Sequence, residues 1–416
     1  PYQILEAPGP QNPQRSTSAF PPGIWSHLPV GWTSPLSWIS MRFLHTSDWH
    51  LGKTLCNANL LEDQAYALEQ AVAMIKDAKP AAFVIAGDVY DRAVPPKEAV
   101  ALLDEFLRRV VGDLKVPVLM IAGNHDSPER LGFAADFLEP QGLHVAGLPS
   151  DGPEPVVIGE AAFHLMPYAD PASARFAFKD DSIRTHQDVL TAQLSRAWGR
   201  HPQDKRFVAV AHAFVAGGLA SESELGLDVG GSGEVDPRLF EPADYVALGH
   251  LHRPQDAGFP HVRYAGSLLK YSASEATHLK AITLVELPRE GGARTEPMPF
   301  TPRRDLRRLR GAFEDLLREP AESREDYLFV ELTDEGPVLD AMARLRRIYP
   351  NILGIQAGPG RGSEDVPALR TDPRELDPES LFQTFIREST GQELSEEEMA
   401  VFREVAGKAL LTGEIR

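Results

Sequence analysis

Seven side chains could together hold metal ions: Asp48, His50, Asp88, Asn124, His212, His250 and His252. They supply two carboxylates, four imidazoles and one amide oxygen. Mixed nitrogen and oxygen donors without sulfur suit borderline first-row metals such as manganese, iron or zinc, whereas calcium takes nearly all oxygen. Seven donors exceed the needs of one tetrahedral zinc and suit two ions that share a bridging carboxylate. The donors fall in short blocks: Asp48-Trp49-His50, Gly87-Asp88-Val89-Tyr90-Asp91-Arg92, Gly123-Asn124-His125-Asp126, the lone His212, and Gly249-His250-Leu251-His252. Each block alone has an ordinary explanation. The first could be a surface pair, the third a turn, and the last two same-face residues of a strand. Their joint occurrence, each after a strand-like run, is hard to reach by accident.

The runs that precede the blocks are Arg42–Thr46, Ala82–Ala86, Val116–Ile121, Phe207–Ala211 and Tyr245–Leu248, all apolar and strand-like. Helical periodicity runs over Leu60–Ala78, over Pro96–Val111 with proline in the first turn, and over Glu129–Leu138. Strands alternating with helices predict α/β layering with a largely parallel portion of sheet. In such sheets the loops at the carboxyl ends of strands converge on one crevice, so the blocks can meet. Ala162–Met166, Val262–Tyr264 and Ala281–Leu287 read as further strands at less regular spacing, which predicts a second sheet packed on the first.

The expected fold class is thus α/β: two packed β-sheets flanked by helices, a small α+β capping domain and a helical carboxyl-terminal tail. Residues 1–40 carry Pro8, Pro10, Pro13, Pro21, Pro22, Pro29 and Pro35 without a period. They read as a disordered leader, or as sequence ahead of a natural start at Met41, and lack the basic start and apolar run of a signal peptide. Residues 41–288 form the expected main domain, with Arg289-Glu290-Gly291-Gly292 as a turn at its end. Residues 289–360 form the capping domain, with strands at Tyr327–Leu332 and Asn351–Ala357 around a helix at Val338–Tyr349. Gly358–Ser363 breaks the chain, and residues 361–416 read as helices capped at Asp377-Pro378 and at Ser395 with Glu398.

A net charge of −18 argues against phosphate binding by the whole surface and leaves room for a local positive site. Two divalent ions would outweigh the charges of Asp48 and Asp88 and make such a site. The one cysteine, Cys56, excludes an intramolecular disulfide and a Cys-rich zinc site, and suits a reducing compartment. No apolar run approaches the ~20 residues of a membrane span.

The ordered blocks Asp-x-His, Gly-Asp-x-x-Asp, Gly-Asn-His-Asp, His and Gly-His-x-His resemble the calcineurin-like metallophosphoesterase superfamily over roughly Met41–Leu287. That resemblance implies that Asp88 bridges two ions. Asp48, His50 and His252 would complete one ion's ligands, and Asn124, His212 and His250 the other's. His125 would face the phosphate, oriented by Asp91. Three further stretches narrow the resemblance to the SbcD family of nuclease subunits: His45–Gly52, Val229–Ser232 with Val235-Asp236-Pro237, and Arg263–Ser267. The stretch Leu381–Leu411 is similar to that family's carboxyl-terminal region. The narrower resemblance implies DNA as substrate and manganese as the metal, with magnesium the other candidate. It also implies an SbcC-type coiled-coil ATPase as partner, a homodimer within a heterotetramer, and a cytoplasmic, nucleoid-associated location. Ala213 stands where that family leads one to expect a bulkier apolar residue, and residues before Met41 have no counterpart. The rival reading is another calcineurin-like phosphoesterase acting on small phosphate esters or cyclic nucleotides. Arg303, Arg304, Arg307, Arg308 and Arg310 form a basic cluster, read either as a solvated helical face or as a patch that tracks phosphates. The tail's apolar stripes read either as facing the chain's own core or as docking on a partner helix pair, and the resemblance favours docking.

Overall fold

Strand β1 (Ile39–Thr46), strand β2 (Phe83–Ala86) and strand β3 (Val118–Ile121) lie side by side and parallel, as the alternation of strands with helices predicts. The chain is described here from a computed structural model, which covers residues 39–224, 233–318, 323–334, 336, 338–357, 399 and 402. The expected leader (apart from Ile39 and Ser40), the Gly358–Ser363 break and the capped tail helices lie outside the described residues.

Helix α1 (Leu61–Ala78) joins β1 to β2, and α2 (Lys97–Leu107) joins β2 to β3, its last turns widening into a π-helical stretch at Arg108–Asp113. Strand β4 (Leu143–Ala146) continues the sheet in parallel beyond β3. The second sheet starts with the antiparallel pair β5 (Val156–Ile158) and β6 (Ala161–Met166). After α3 (Pro171–Phe178) and α4 (His186–Gly199) come β7 (Arg206–His212), β8 (Tyr245–Gly249), β9 (Gln255–Ala257) and β10 (Phe259–Tyr264), giving the order β9-β10-β8-β7-β6-β5. Strand β11 (Ala281–Pro288) then returns antiparallel beside β1, and β12 (Arg294–Pro299) pairs antiparallel with β11. The first sheet therefore reads β12-β11-β1-β2-β3-β4.

Side chains alternate across these strands with period two. Phe43, Val84, Leu119, Ile121, Phe163, Val208, Val210 and Tyr245 meet between the sheets. Phe207, Ala209 and Ala211 face the other way, under Leu190, Leu194 and Ala197 of α4. On the outer face of the first sheet, Phe106 of α2 packs against Phe83 at 5.5 Å and Trp49 at 5.0 Å between ring centroids. Burial on both faces explains why these strands read as unbroken apolar runs. Phe43 is fully buried and meets Phe163 and Tyr245 edge-on at 5.1 and 5.6 Å. Phe43→Ala should therefore destabilise the first unit by ~3–5 kcal/mol, read as a fall in the urea midpoint at unchanged slope.

Several expectations change. The Arg289–Gly292 turn is the tip of the β11–β12 hairpin, so the first unit runs on to Arg303 rather than ending at 288. The predicted helix Glu129–Leu138 is two short turns, Pro128–Leu131 and Ala135–Leu138, parted at Gly132 and by Ala134 at φ 61°. In the second unit, β13 (Leu306–Gly311), β14 (Tyr327–Leu332) and β15 (Ile352–Ala357) form a parallel sheet. Its core includes Phe313 and Leu316 of α5 (Phe313–Arg318) and Leu345 of α6 (Ala341–Leu345). Helix α6 starts only after Asp340 in the left-handed region, which shortens the predicted Val338–Tyr349 helix. The basic cluster lies on strand β13 and just before it, not on a helix, and most of it has partners. Arg307 pairs with Asp326 at 2.7 Å, Arg310 with Glu331 at 3.3 Å, and Arg304 lies over the Tyr327 ring at 5.1 Å. In the first unit, Arg303 pairs with Glu62.

Candidate metal centre

All five blocks follow strands of the first unit at their carboxyl ends: β1, β2 and β3 in one sheet, β7 and β8 in the other. The loops after β1 and β2 are zipped together by main-chain bonds. Asp48 N–H donates to Gly87 O at 3.0 Å, His50 N–H to Asp88 O at 2.9 Å, and Leu51 N–H to Val89 O at 2.9 Å. This forces Asp48, His50 and Asp88 to positive φ, at 52°, 45° and 49°. Non-glycine residues rarely stay there without such over-determination. Gly87, at φ 88°, and Gly123 are needed for space as well. A Cβ on Gly87 would collide with the His212 imidazole, and one on Gly123 with the Asp88 carboxylate.

Asp88 lies at the middle of the cluster. Its Oδ2 is 3.6 Å from His50 Nε2 and 3.4 Å from His212 Nε2, while Oδ1 accepts from His125 N–H at 2.9 Å. On one side, His50 Nε2 and His252 Nε2 face each other at 3.1 Å, and Asp48 lies within ligand distance of both rings. On the other, the Asn124 amide oxygen is 2.8 Å from His212 Nε2 and 3.1 Å from His250 Nδ1. The structure thus brings all seven predicted donors together, with Asp88 between two sets. Two of the rings bond through their second nitrogen away from the centre, and a third faces a carboxylate there. His212 Nδ1 meets Ala86 O at 2.9 Å, His252 Nδ1 meets Ser223 Oγ at 2.9 Å and Glu275 Oε1 at 3.2 Å, and His50 Nδ1 faces Asp91 Oδ1 at 3.5 Å. Outer partners of this kind fix a ligand's tautomer and raise its basicity.

The donors differ in charge: burial works against the His212 imidazolium, but the Asp88 carboxylate beside it outweighs burial and lifts its pKa to about 9, so a metal ion there would displace that proton. Burial pulls the His252 imidazole down to about 3, and burial with His212 beside it does the same for His250, so both keep a lone pair to donate. Burial, with Asp88 adding to it, pushes the Asp48 carboxyl up to about 8. Burial also works against the Asp88 charge, but His212, His50 and His125 outweigh it and hold that carboxyl well below its usual range. Buried oxygen and imidazole donors of this composition match the requirements of two divalent first-row ions.

The structure departs from one sequence expectation. The Asp91 carboxylate does not orient His125. It pairs with Lys53 at 2.7 Å and faces His50. What His125 Nδ1 meets is the Asp91 main-chain carbonyl, at 3.0 Å. The sequence assigned no role to several supporting residues, although Asp126 closes one of the five blocks. Asp126 accepts from the N–H groups of Val89, Tyr90 and Gly123 at 2.9–3.1 Å and ties the loops after β2 and β3 together. Gln64 of α1, fully buried, donates to His50 O at 2.7 Å and accepts from Gly52 N–H at 3.0 Å, holding the strained loop. Glu224, Glu275 and Lys280 surround His252, equally without a motif to mark them.

Two packed mixed sheets with this donor set at their strand ends define a metal-dependent phosphoesterase. Residues 41–254 match the calcineurin-like phosphoesterase family, to which the chain belongs. Within it, the chain belongs to the SbcD family, the nuclease subunits of SbcCD. It is 35% identical over 357 residues to the SbcD subunit of the SbcCD nuclease from Staphylococcus saprophyticus, covering 85% of this chain and 95% of the relative. It is 33% identical over 358 residues to the one from Staphylococcus epidermidis, covering 86% and 95%. Residues 302–390 match the family described as the Type 5 capsule protein repressor C-terminal domain. Among solved structures, a Thermus thermophilus protein and a dimetal phosphatase from Danio rerio, at 19% and 14% identity, each cover 62% of this chain and 99% of their own. Their TM-score of 0.33 is too low to add to the sequence relatives. Among the described residues, no helix is long and apolar enough to cross a membrane.

Proposed function

We propose that the chain is the nuclease subunit of an SbcCD-type complex, cleaving phosphodiester bonds in DNA ends and single strands with two divalent ions, manganese before magnesium. The observation that carries the two-ion reading is Asp88, whose carboxylate sits between His50 and His212 at 3.6 and 3.4 Å. Asp48, His50 and His252 would hold one ion with it, and Asn124, His212 and His250 the other. When bound, the ions supply Lewis acidity and water activation for in-line displacement at phosphorus.

The chain's own contribution centres on His125. A carbonyl only accepts, so the bond to Asp91 O keeps the proton on Nδ1. Nε2 is then the nitrogen left to exchange a proton with the substrate, and His125 serves as the acid–base group. Asp91 acts through others: its carbonyl orients His125, and its carboxylate backs His50. The substrate is DNA, the partner an SbcC-type ATPase docked by the tail from about Asp377 onward, and the assembly a homodimer within a heterotetramer in the bacterial cytoplasm at the nucleoid. The identity to nuclease subunits along 85% of the chain supports this reading over one on small phosphate esters or cyclic nucleotides. With manganese, the purified chain should degrade end-labelled DNA, and adding an SbcC-type ATPase should make duplex-end processing ATP-driven. Efficient hydrolysis of p-nitrophenyl phosphate with DNA left intact would overturn the assignment.

A further inference from the structure

Behind the metal centre lies a buried ion pair that no ligand role requires. Glu275 is fully buried, Lys280 is 7% exposed, and both sit beside His252 at 3%. All three N–H groups of Lys280 are used: on Glu275 Oε2 at 2.6 Å, His252 O at 2.7 Å and Ser267 Oγ at 2.8 Å. The other oxygen of Glu275 receives Ser223 Oγ at 2.8 Å and lies 3.2 Å from His252 Nδ1. Glu224 also approaches that nitrogen, at 3.2 Å, but its Oε1 is taken by His252 N–H at 3.0 Å and, among the described residues, no lysine bonds to it. Glu224, His252 and Glu275 are close enough to grip an ion of their own. The Lys280 ammonium already fills the cation's part on Glu275, so the trio reads as a support for His252 and not as a third site. A buried ion pair is rarely worth more to stability than an apolar pair of the same shape. Its placement on one ligand's outer nitrogen points to a different task.

We propose that Glu275 and Lys280 are positioning residues for the metal centre: the anionic Glu275, held in place by Lys280, keeps the His252 proton on Nδ1 and presents Nε2 as a donor to one ion. The inference rests on the two-ion reading. A carboxylate behind a ligand imidazole raises its basicity, and its loss typically costs 10–100-fold in metal affinity. Lys280 contributes twice, by fixing the carboxylate and by holding the His252 carbonyl.

The test titrates manganese into the full chain by calorimetry and follows the exchange-coupled manganese signal by electron paramagnetic resonance. Wild type should bind two ions and give the coupled signal. Glu275→Gln should weaken one ion by about 10–100-fold, spare the other, and lose the coupled signal. The double variant Glu275→Gln with Lys280→Met removes both charges at little change of shape. It should melt near wild type yet still bind the first ion weakly. Ser223→Ala touches the same contact more gently and should cost about 2–10-fold on that ion, the net worth of one hydrogen bond. It gives the reading even where the buried variants do not fold. Unchanged affinity in Glu275→Gln or Ser223→Ala overturns the inference. So does a double variant with wild-type affinity, since the pair would then do nothing but neutralise itself. A wild-type chain that binds one ion or none overturns the two-ion reading, and this inference with it.

Discussion

Asp88→Ala should release both metal ions and lower DNA cleavage by ~10³-fold or more. The carboxylate is 2% exposed and lies between the two donor sets, so its removal takes a ligand from each ion at once. It also leaves His50 and His212 without the anion they share, at 3.6 and 3.4 Å. Metal ions contribute several kcal/mol of charge stabilisation in such displacements, and each 1.36 kcal/mol is about tenfold in rate. Elemental analysis after dialysis against limiting manganese should find two ions per chain in wild type and fewer than one in the variant. Asp88→Asn is the informative companion. Its amide oxygen still accepts from His125 N–H, so the loop after β3 stays in place while the bridging charge is gone. Loss of both ions in the Asn variant as well as the Ala variant assigns the effect to charge. Two tightly held ions in either variant would refute the bridge.

The seven candidate donors were legible because they combine two local signals: a chemically committed residue type, and a position directly after an apolar run. Both survive in the sequence without any knowledge of tertiary contacts. The apolar runs were legible for a related reason, since strands buried on both faces, such as Phe207–Ala211, cannot alternate with polar residues. What could not be read is whatever depends on which atom of a residue is used. Asp91 is such a residue: the motif marks it beside His125, yet the backbone turns so that its carbonyl meets His125 and its carboxylate meets Lys53 and His50. Glu275 and Lys280 were hidden for another reason. Neither directly follows the carboxyl end of a strand, and a Glu and a Lys five residues apart look like ordinary surface charges until burial is known. The hairpin Ala281–Pro299 was cut short at Arg289 because β12, Arg294–Pro299, carries two prolines and few apolar residues. It is an edge strand, and its partner β11 supplies the reason for it to be extended. The Arg307–Arg310 stretch shows the same limit. Its charges suggested a solvated helix, while β14 alongside sets it as a strand and gives Arg310 the cross-strand partner Glu331.

His125→Ala should keep both ions and lose about 10²-fold or more of cleavage, the usual worth of a positioned acid–base group. The donor sets on both sides of Asp88 are complete without His125, whose ring lies 4.7 Å from that of His50 between centroids, edge to face. Its hydrogen bond to the Asp88 carboxylate comes from its main-chain N–H, and alanine retains that group. The side chain is partly exposed and tethered through Nδ1 to Asp91 O, an arrangement suited to meeting substrate and unneeded for packing. Manganese stoichiometry and affinity should therefore match wild type, and DNA should still bind, with the loss confined to turnover. The size of the loss should also depend on the leaving group. A phosphodiester with a nitrophenolate leaving group needs little protonation and should lose much less than DNA, whose leaving sugar oxygen is strongly basic. Equal losses on the two substrates would remove His125 from the proton transfer. A variant that had shed its metals would instead make it part of the metal centre, and cleavage at the wild-type rate would leave the acid–base role to some other group.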